Sequence, residues 1–511
     1  MILILDYGSQ YSELIARRVR EANVYSELLP FTTTVAQIKE KAPSGIILSG
    51  GPHSIFQKGA PNAEKELFEL GIPVLGICYG LQLTTHVLGG TVEEGEKHEY
   101  GPATLHVDDN SSLLEGLSIE SPVWMSHGDS VTKLAPGFTV LGHTDTCPYA
   151  AIQHKEKEIY GIQFHPEVIH TQEGTRLLQN FFFNICNASA DWTPRAFVDE
   201  SIRQIQETVG DQHVLCALSG GVDSSVVAAL MQRAIGQQLT CMFIDQGFMR
   251  KNEAENIKAL FKNQWKVQLI YVDARQRFFD AVKGITDPEI KRKKIGNMFI
   301  EVFEEESSKL KNKFTFLAQG TLYPDIIESA AVGVSGAAVT IKTHHNVGGL
   351  PDDMPFEVIE PIKTLFKDEG RKVGLELGLS EEMVYRHPFP GPGLAIRILG
   401  EVTPERVEVL QNADAIVLEE IKAANYYRRC WQAFAVLLPV KSVGVMGDKR
   451  SYQDVLAIRA VDSVDAMTAQ WSKLPYDLLD RISTRLLNEV SGINRVVYDI
   501  SNKPPATIEW E

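Results

Sequence analysis

The chain has 511 residues, enough for about three domains. Hydrophobic residues make up 44% and charged residues 23%, the balance of a globular protein rather than a disordered one. Lys+Arg is 50 against Asp+Glu 66, a net charge of −16 that argues against a nucleic-acid partner, and no apolar run reaches the ~20 residues of a membrane span.

Ile2–Leu5, Gly45–Leu48 and Pro73–Ile77 read as buried strands, and Gln10–Arg20, Asn62–Leu70 and Leu81–Leu88 as helices. Their alternation predicts a parallel sheet with covering helices over residues 1–188. The run Asp191-Trp192-Thr193-Pro194 breaks the pattern. A second series follows: helix Ala196–Val209, strand His213–Leu218, helix Val222–Ala234, strands Leu239–Ile244 and Val267–Val272. It predicts another parallel α/β domain over 189–385. From 386 the text turns Pro/Gly-rich (HPFPGPGLAIR) and then mixes helices and strands, including the apolar run Phe434–Val440. A smaller α+β domain is expected over 386–511. One basic run, Lys291-Arg292-Lys293-Lys294, stands out and reads first as a solvated helix face. Cysteines 78, 147, 186, 216, 241 and 430 form no C-x-x-C pair or zinc-type spacing. Together with an opening that reaches Asp6 too early for a signal peptide, they predict a cytoplasmic protein.

Gly76-Ile77-Cys78-Tyr79-Gly80 follows a strand and opens a helix, a G-x-C-x-G form of the nucleophile elbow. Glycines permit the tight turn, and the helix N-terminus favours a thiolate at Cys78. A glycine-rich turn around a buried cysteine would look the same. Gly161-Ile162-Gln163-Phe164-His165-Pro166-Glu167 delivers a histidine at a strand end with a carboxylate two residues on. A cysteine nucleophile needs that base and that orienter. Ser49-Gly50-Gly51-Pro52 ends another strand, and its backbone N–H groups with that of Tyr79 suit an oxyanion hole. Taken alone, it is a plain turn. In the order Gly-loop, Cys, His-x-Glu these elements resemble class I glutamine amidotransferase domains. The resemblance implies Cys78 as nucleophile, His165 as base and Glu167 as orienter, with Gln82, Ser126, His127, Gly128 and Asp129 around glutamine.

Ser219-Gly220-Gly221-Val222-Asp223-Ser224-Ser225 also follows a strand and opens a helix. Glycines let backbone approach a phosphate, helix N–H groups and hydroxyls donate to it, and Asp223 suits Mg²⁺. Many SGG strings are only helix caps, but a seven-residue match arises by chance on the order of once in 10⁸ positions. SGGVDSS resembles the PP-loop of N-type ATP pyrophosphatases, which cleave ATP between its α- and β-phosphates. It is neither a Walker A loop nor a Rossmann fingerprint.

Six further segments occur in order: YPDIIESA (323–330), KTHHNVGGLP (342–351), LFKDEGR (365–371), HPFPGPGLAIR (387–397), WQAFAVLLPVKSVGVMGD (431–448) and KPPATIEWE (503–511). The whole chain thereby resembles the glutamine-hydrolysing GMP synthetases, with a mild departure at DQGFMRKNE (245–253), where the family usually has DHGLLRKNE or DNGLLRKNE. The resemblance implies ATP and glutamine as co-substrates, Mg²⁺ as cofactor and xanthosine 5′-monophosphate (XMP) as acceptor. It places XMP at Arg292, Gln432, Lys503 and Glu509, and homodimerisation in the third domain. Lys367 is a candidate for the pyrophosphate, although an exposed helix lysine reads the same way. His344-His345 with Gly348-Gly349 reads as a mobile loop near the nucleotide, poorly suited to a metal. Two alternatives stay open: another PP-loop ligase, against which the C-terminal segments argue, and a silent regulatory protein, against which two intact chemical motifs argue.

Overall fold

The computed structural model describes residues 1–310, 313–326, 356–446, 449–463 and 468–511. His344, His345, Gly348 and Gly349 lie outside them, as does the second half of YPDIIESA (327–330). The described chain divides into two compact units, Met1–Ala196 and Phe197–Glu511.

The first unit holds nine strands: β1 (Ile2–Asp6), β2 (Ser26–Pro30), β3 (Gly45–Leu48), β4 (Val74–Ile77), β5 (Thr91–Val107), β6 (Glu120–Lys133), β7 (Phe138–His143), β8 (Ala151–His154) and β9 (Ile159–Ile162). Their order is β2-β1-β3-β4-β9-β8-β7-β5-β6. The segment β2-β1-β3-β4-β9 is parallel. Within it β1, β3, β4 and β9 read as apolar runs because they are buried on both faces. Beyond β9 the pairing is antiparallel, an extension the apolar runs alone do not announce. Helix Ser12–Glu21 turns Ile15, Ala16 and Val19 inward, and Tyr79–Val87 is buried along most of its length. The expected helix Asn62–Leu70 is absent; only a 3-10 turn, Lys65–Glu69, forms. Two adjacent apolar side chains, Leu67 and Phe68, are buried there, and one short turn satisfies them.

The second unit holds a parallel sheet of β10 (Val214–Leu218), β11 (Leu239–Asp245), β12 (Gln268–Asp273), β13 (Phe316–Ala318) and β14 (Glu357–Ile359) in the order β12-β11-β10-β13-β14. The chain first builds outward from β10 through β11, then crosses to β13. The C-terminal ends of β10 and β13 therefore flank a topological switch point, where such sheets bind ligands. A third sheet comprises β15 (Gln432–Met446), β16 (Lys449–Asp462), β17 (Gln470–Trp471) and β18 (Ile493–Tyr498). One apolar core joins the two sheets, running from Leu215 and Met242 through Phe278 and Leu410 to Leu437, Leu456 and Leu486. The division expected at residue 386 separates two sheets that share this core.

The basic run departs from expectation. Lys293 and Lys294 are exposed on helix Pro288–Ser308, but Lys291 is fully buried. Its Nζ donates to the Ile398 carbonyl at 2.8 Å and pairs with the Glu511 carboxylate. A buried ammonium persists only with such partners.

Candidate active sites

In the first unit, the ends of β1, β3, β4 and β9 deliver four loops to one edge of the parallel segment. Cys78 sits between β4 and helix Tyr79–Val87, with φ 52° and ψ −105°. The left-handed strain falls on the cysteine itself, which lifts Sγ to the helix N-terminus. The flanking glycines serve packing instead. A Cβ on Gly76 would lie 2.5 Å from the Gly80 carbonyl oxygen, and one on Gly80 2.3 Å from that of Leu48.

His165 follows β9, lines the same cavity as Cys78 and meets Glu167 Oε1 through Nδ1 at 2.7 Å, while Cys78 Sγ donates to the Ser126 carbonyl at 3.5 Å. Glu167 is fully buried. Burial works against a charged ring, but the Glu167 carboxylate and Cys78 outweigh it and hold the His165 pKa well above the ordinary value. The Gly51 backbone packs against Tyr7, where a Cβ would meet the Tyr7 carbonyl at 2.8 Å, and against the Tyr79 ring.

A cavity of about 500 Å³ opens on Cys78 and His165. Gly51, Gln82, Ser126, His127, Gly128 and Asp129 all line it. Gln82 Nε2 donates to the Asp129 carbonyl at 2.7 Å, and Asp129 Oδ2 is buried without a hydrogen-bond partner. His127 faces the Asp129 carbonyl through Nδ1 at 3.0 Å and Glu99 Oε2 through Nε2 at 2.8 Å; burial lowers its pKa despite Glu99. Sequence reasoning missed Gln163, whose Nε2 donates to Cys78 Sγ at 3.7 Å. Its signal was a polar residue directly after the apolar strand and two positions before His165; the structure buries it fully.

In the second unit, Ser219–Ser225 links β10 to helix Val222–Ile235 at the switch point. A cavity of about 440 Å³ is lined by Ser219, Gly220, Gly221, Val222, Asp223, Arg292 and Lys367, and by the Arg386–Pro392 run. The hydroxyls of Ser224 and Ser225 turn back to the Gly221 carbonyl, at 3.2 and 2.8 Å, and brace the loop from behind. Gly320, just past β13, was also missed: its Cβ would lie 3.2 Å from the backbone of Asp223 and Ser224. A side chain there would press on the helix N-terminus more tightly than ordinary contact.

The four residues assigned to XMP fall into different settings. Arg292 lines the cavity and donates to the Glu511 carbonyl. Gln432, Lys503 and Glu509 do not line it. Gln432 Nε2 donates to Glu509 Oε1 at 2.7 Å and to the Pro388 carbonyl at 3.1 Å. Glu509 is gripped at both oxygens by the fully buried Arg397, at 2.8 and 3.0 Å. Lys503 pairs through its backbone with Ala469. Arg397, within HPFPGPGLAIR, is the hub that sequence reasoning left without a role.

Among the described residues no helix is long and apolar enough to cross a membrane. All six cysteines are free and buried.

Three family models match in chain order: glutamine amidotransferase class-I over residues 3–185, NAD synthase over 196–299, and GMP synthase C terminal domain over 419–510. Full-length similarity runs to glutamine-hydrolyzing GMP synthases. The relative from Thermosynechococcus vestitus is 59% identical, covering 100% of this chain and 96% of its own. That from a Synechococcus strain is 58% identical over 100% and 96%. That from Brachyspira hyodysenteriae is 56% identical over 100% and 99%.

Proposed function

Since this chain belongs to the glutamine-hydrolyzing GMP synthase family, we propose that its two cavities divide one ligation between them. The overall reaction takes XMP, ATP, glutamine and water to GMP, AMP, pyrophosphate and glutamate. The observation that carries the first half is Cys78 at a helix N-terminus, with His165 and the buried Glu167 in line behind it.

Cys78 Sγ attacks the side-chain amide carbon of glutamine. The tetrahedral oxygen takes hydrogen bonds from the Gly51 and Tyr79 N–H groups. His165 passes a proton to the departing nitrogen, and ammonia leaves a glutamyl thioester that water opens to glutamate. Asp129 Oδ2, buried and unpartnered beside the nucleophile, suits the α-ammonium group of glutamine. Gln82, Ser126, His127 and Gly128 complete that subsite.

ATP is the co-substrate of the second half. The loop Ser219–Ser225 offers backbone N–H groups to its phosphates. The XMP C2 oxygen attacks the α-phosphorus and pyrophosphate leaves. Ammonia then displaces AMP from C2. Lys367, exposed on the cavity wall, suits the departing pyrophosphate. The donors Asp223 and Ser219 are hard oxygens, which fit Mg²⁺. Asp223 would hold the ion, which supplies charge neutralisation at the phosphates. Arg292, Gln432, Lys503 and Glu509 are assigned to XMP, with Gln432 and Glu509 exchanging their mutual bond for bonds to the nucleotide.

Purified protein given XMP, ATP, Mg²⁺ and glutamine should release AMP and GMP in equal amounts. Release of AMP without GMP, or of neither, would refute the reading.

The third sheet supports a homodimer. Val443 is 52% exposed, Val445 74% and Tyr452 65%, on one face of the β15–β16 pair. An apolar face of that kind suits a second copy of the chain. Light scattering should give twice the monomer mass for the wild type and the monomer mass for Val445→Glu. A monomeric wild type would remove the proposal.

A further inference from the structure

Arg386 follows the short helix Glu381–Val384 and begins the run that walls the nucleotide cavity. Its guanidinium spans two partners. Nη1 donates to the Gly220 carbonyl and Nη2 to Glu253 Oε1, both at 2.5 Å. The Glu253 side chain is 8% exposed, and its second oxygen accepts the Arg250 N–H at 3.2 Å. Gly220 has φ +76°, and its α-carbon lies so close to this group that a Cβ would touch Ile257, Met249 and Glu253 at 3.2 to 3.5 Å.

A loop that receives an anion must present N–H groups and turn its carbonyls away. In a trans peptide the C=O and N–H point in opposite directions. Drawing the Gly220 oxygen toward Arg386 therefore aims the Gly221 N–H the other way, where it now meets Ser219 Oγ at 3.2 Å. Ser219 and Gly221 both line the cavity. Without a donor behind it, the Gly220–Gly221 peptide is free to flip and present oxygen to a phosphate, since both of its residues are glycine.

We infer that Arg386, oriented by Glu253, is a positioning residue for the ATP polyphosphate: it locks the Gly220–Gly221 peptide with its N–H toward the phosphates. The assignment rests on the nucleotide reading of this loop. Glu253 neutralises the guanidinium, so the effect is chiefly geometric. Lysine has no fork to span a carbonyl and a carboxylate together.

The test uses the full-length protein with ammonia as nitrogen source. Arg386→Gln should raise KM for MgATP by about tenfold or more, while KM for XMP changes less than about threefold. Arg386→Lys should recover little of the loss. Glu253→Gln keeps one of the two accepting oxygens and sets an amide nitrogen against the Arg250 N–H, so it should raise KM for MgATP in the same direction as Arg386→Gln but by less. In thermal melts without XMP, MgATP should raise the Tm of wild type more than that of Arg386→Gln at the same concentration. Equal KM changes for the two substrates, an unchanged KM for MgATP, or equal protection of both proteins by MgATP would overturn the inference. If wild type is protected by MgATP but makes no GMP, the ligase reading fails and the melts still judge the clamp.

Discussion

Replacing Cys78 with alanine abolishes GMP formation from glutamine and leaves formation from added ammonia within about twofold of wild type. The expected loss in the glutaminase step is on the order of 10⁶-fold, the usual consequence of removing a nucleophile whose base and orienter act only through it. Alanine is the right replacement because Cys78 holds φ 52°. Glycine would relax the elbow and change the loop as well as the chemistry. Alanine keeps the strain and removes only sulfur. The variant should also change His165: of the influences that raise its pKa, the Glu167 carboxylate remains and the Cys78 contribution goes. His165 in the variant should therefore titrate lower than in wild type, which NMR of the ring protons can follow. The raised pKa in wild type means that the charged ring adds stability below its unfolded value near ~6.5, a contribution lost as pH rises through the folded value. Loss of both glutamine- and ammonia-dependent synthesis in a variant that melts like wild type would show that the two reactions are not separable.

The two chemical loops were legible in the sequence because each is local. An elbow, a strand-end histidine with its carboxylate two residues on, and a phosphate cradle are all set by neighbours within seven positions. The parallel strands were legible because double-sided burial writes an unbroken apolar run, as in Ile2-Leu3-Ile4-Leu5. The antiparallel extension was not. β5 and β6 are long alternating strands whose register depends on each other, with shifts in pairing near Glu94–Glu99. Residues that act across long sequence separations were also invisible. Lys291 looked solvated because its run is basic, and its burial depends on Ile398 and Glu511, 107 and 220 positions away. Arg397 owes its role to Glu509, 112 positions away, and Arg386 to Gly220 and Glu253. A sequence pattern marks such residues as present, but only the packed structure supplies their partners. Gln163 was partly legible: a polar residue directly after an apolar strand needs a partner once buried, and here the partner is the nucleophile.

Asp223→Asn should lower GMP formation by about 100-fold, equally from glutamine and from ammonia, while glutaminase activity persists. The argument begins with charge. Asp223 stands in the first turn of helix Val222–Ile235, on the wall of a cavity whose loop presents N–H groups. A carboxylate about 4 Å from a phosphate oxygen repels it by roughly 4 kcal/mol at an effective dielectric of 20. Such a residue in an anion site is a liability unless a cation lies between the two charges. Asparagine keeps the size and an oxygen, yet removes the charge a divalent ion needs. The loss of one well-placed electrostatic partner in the transition state costs about 3 kcal/mol, which is the 100-fold expected. The sign is what makes the test sharp. If no cation bridges Asp223 to the phosphates, removing the repulsion should tighten MgATP binding and leave or improve the rate. If one does, KM for MgATP should rise, kcat should fall, and part of the loss should return at higher Mg²⁺ concentration. A thermal melt matching wild type would assign the change to the site rather than to the helix that carries Asp223.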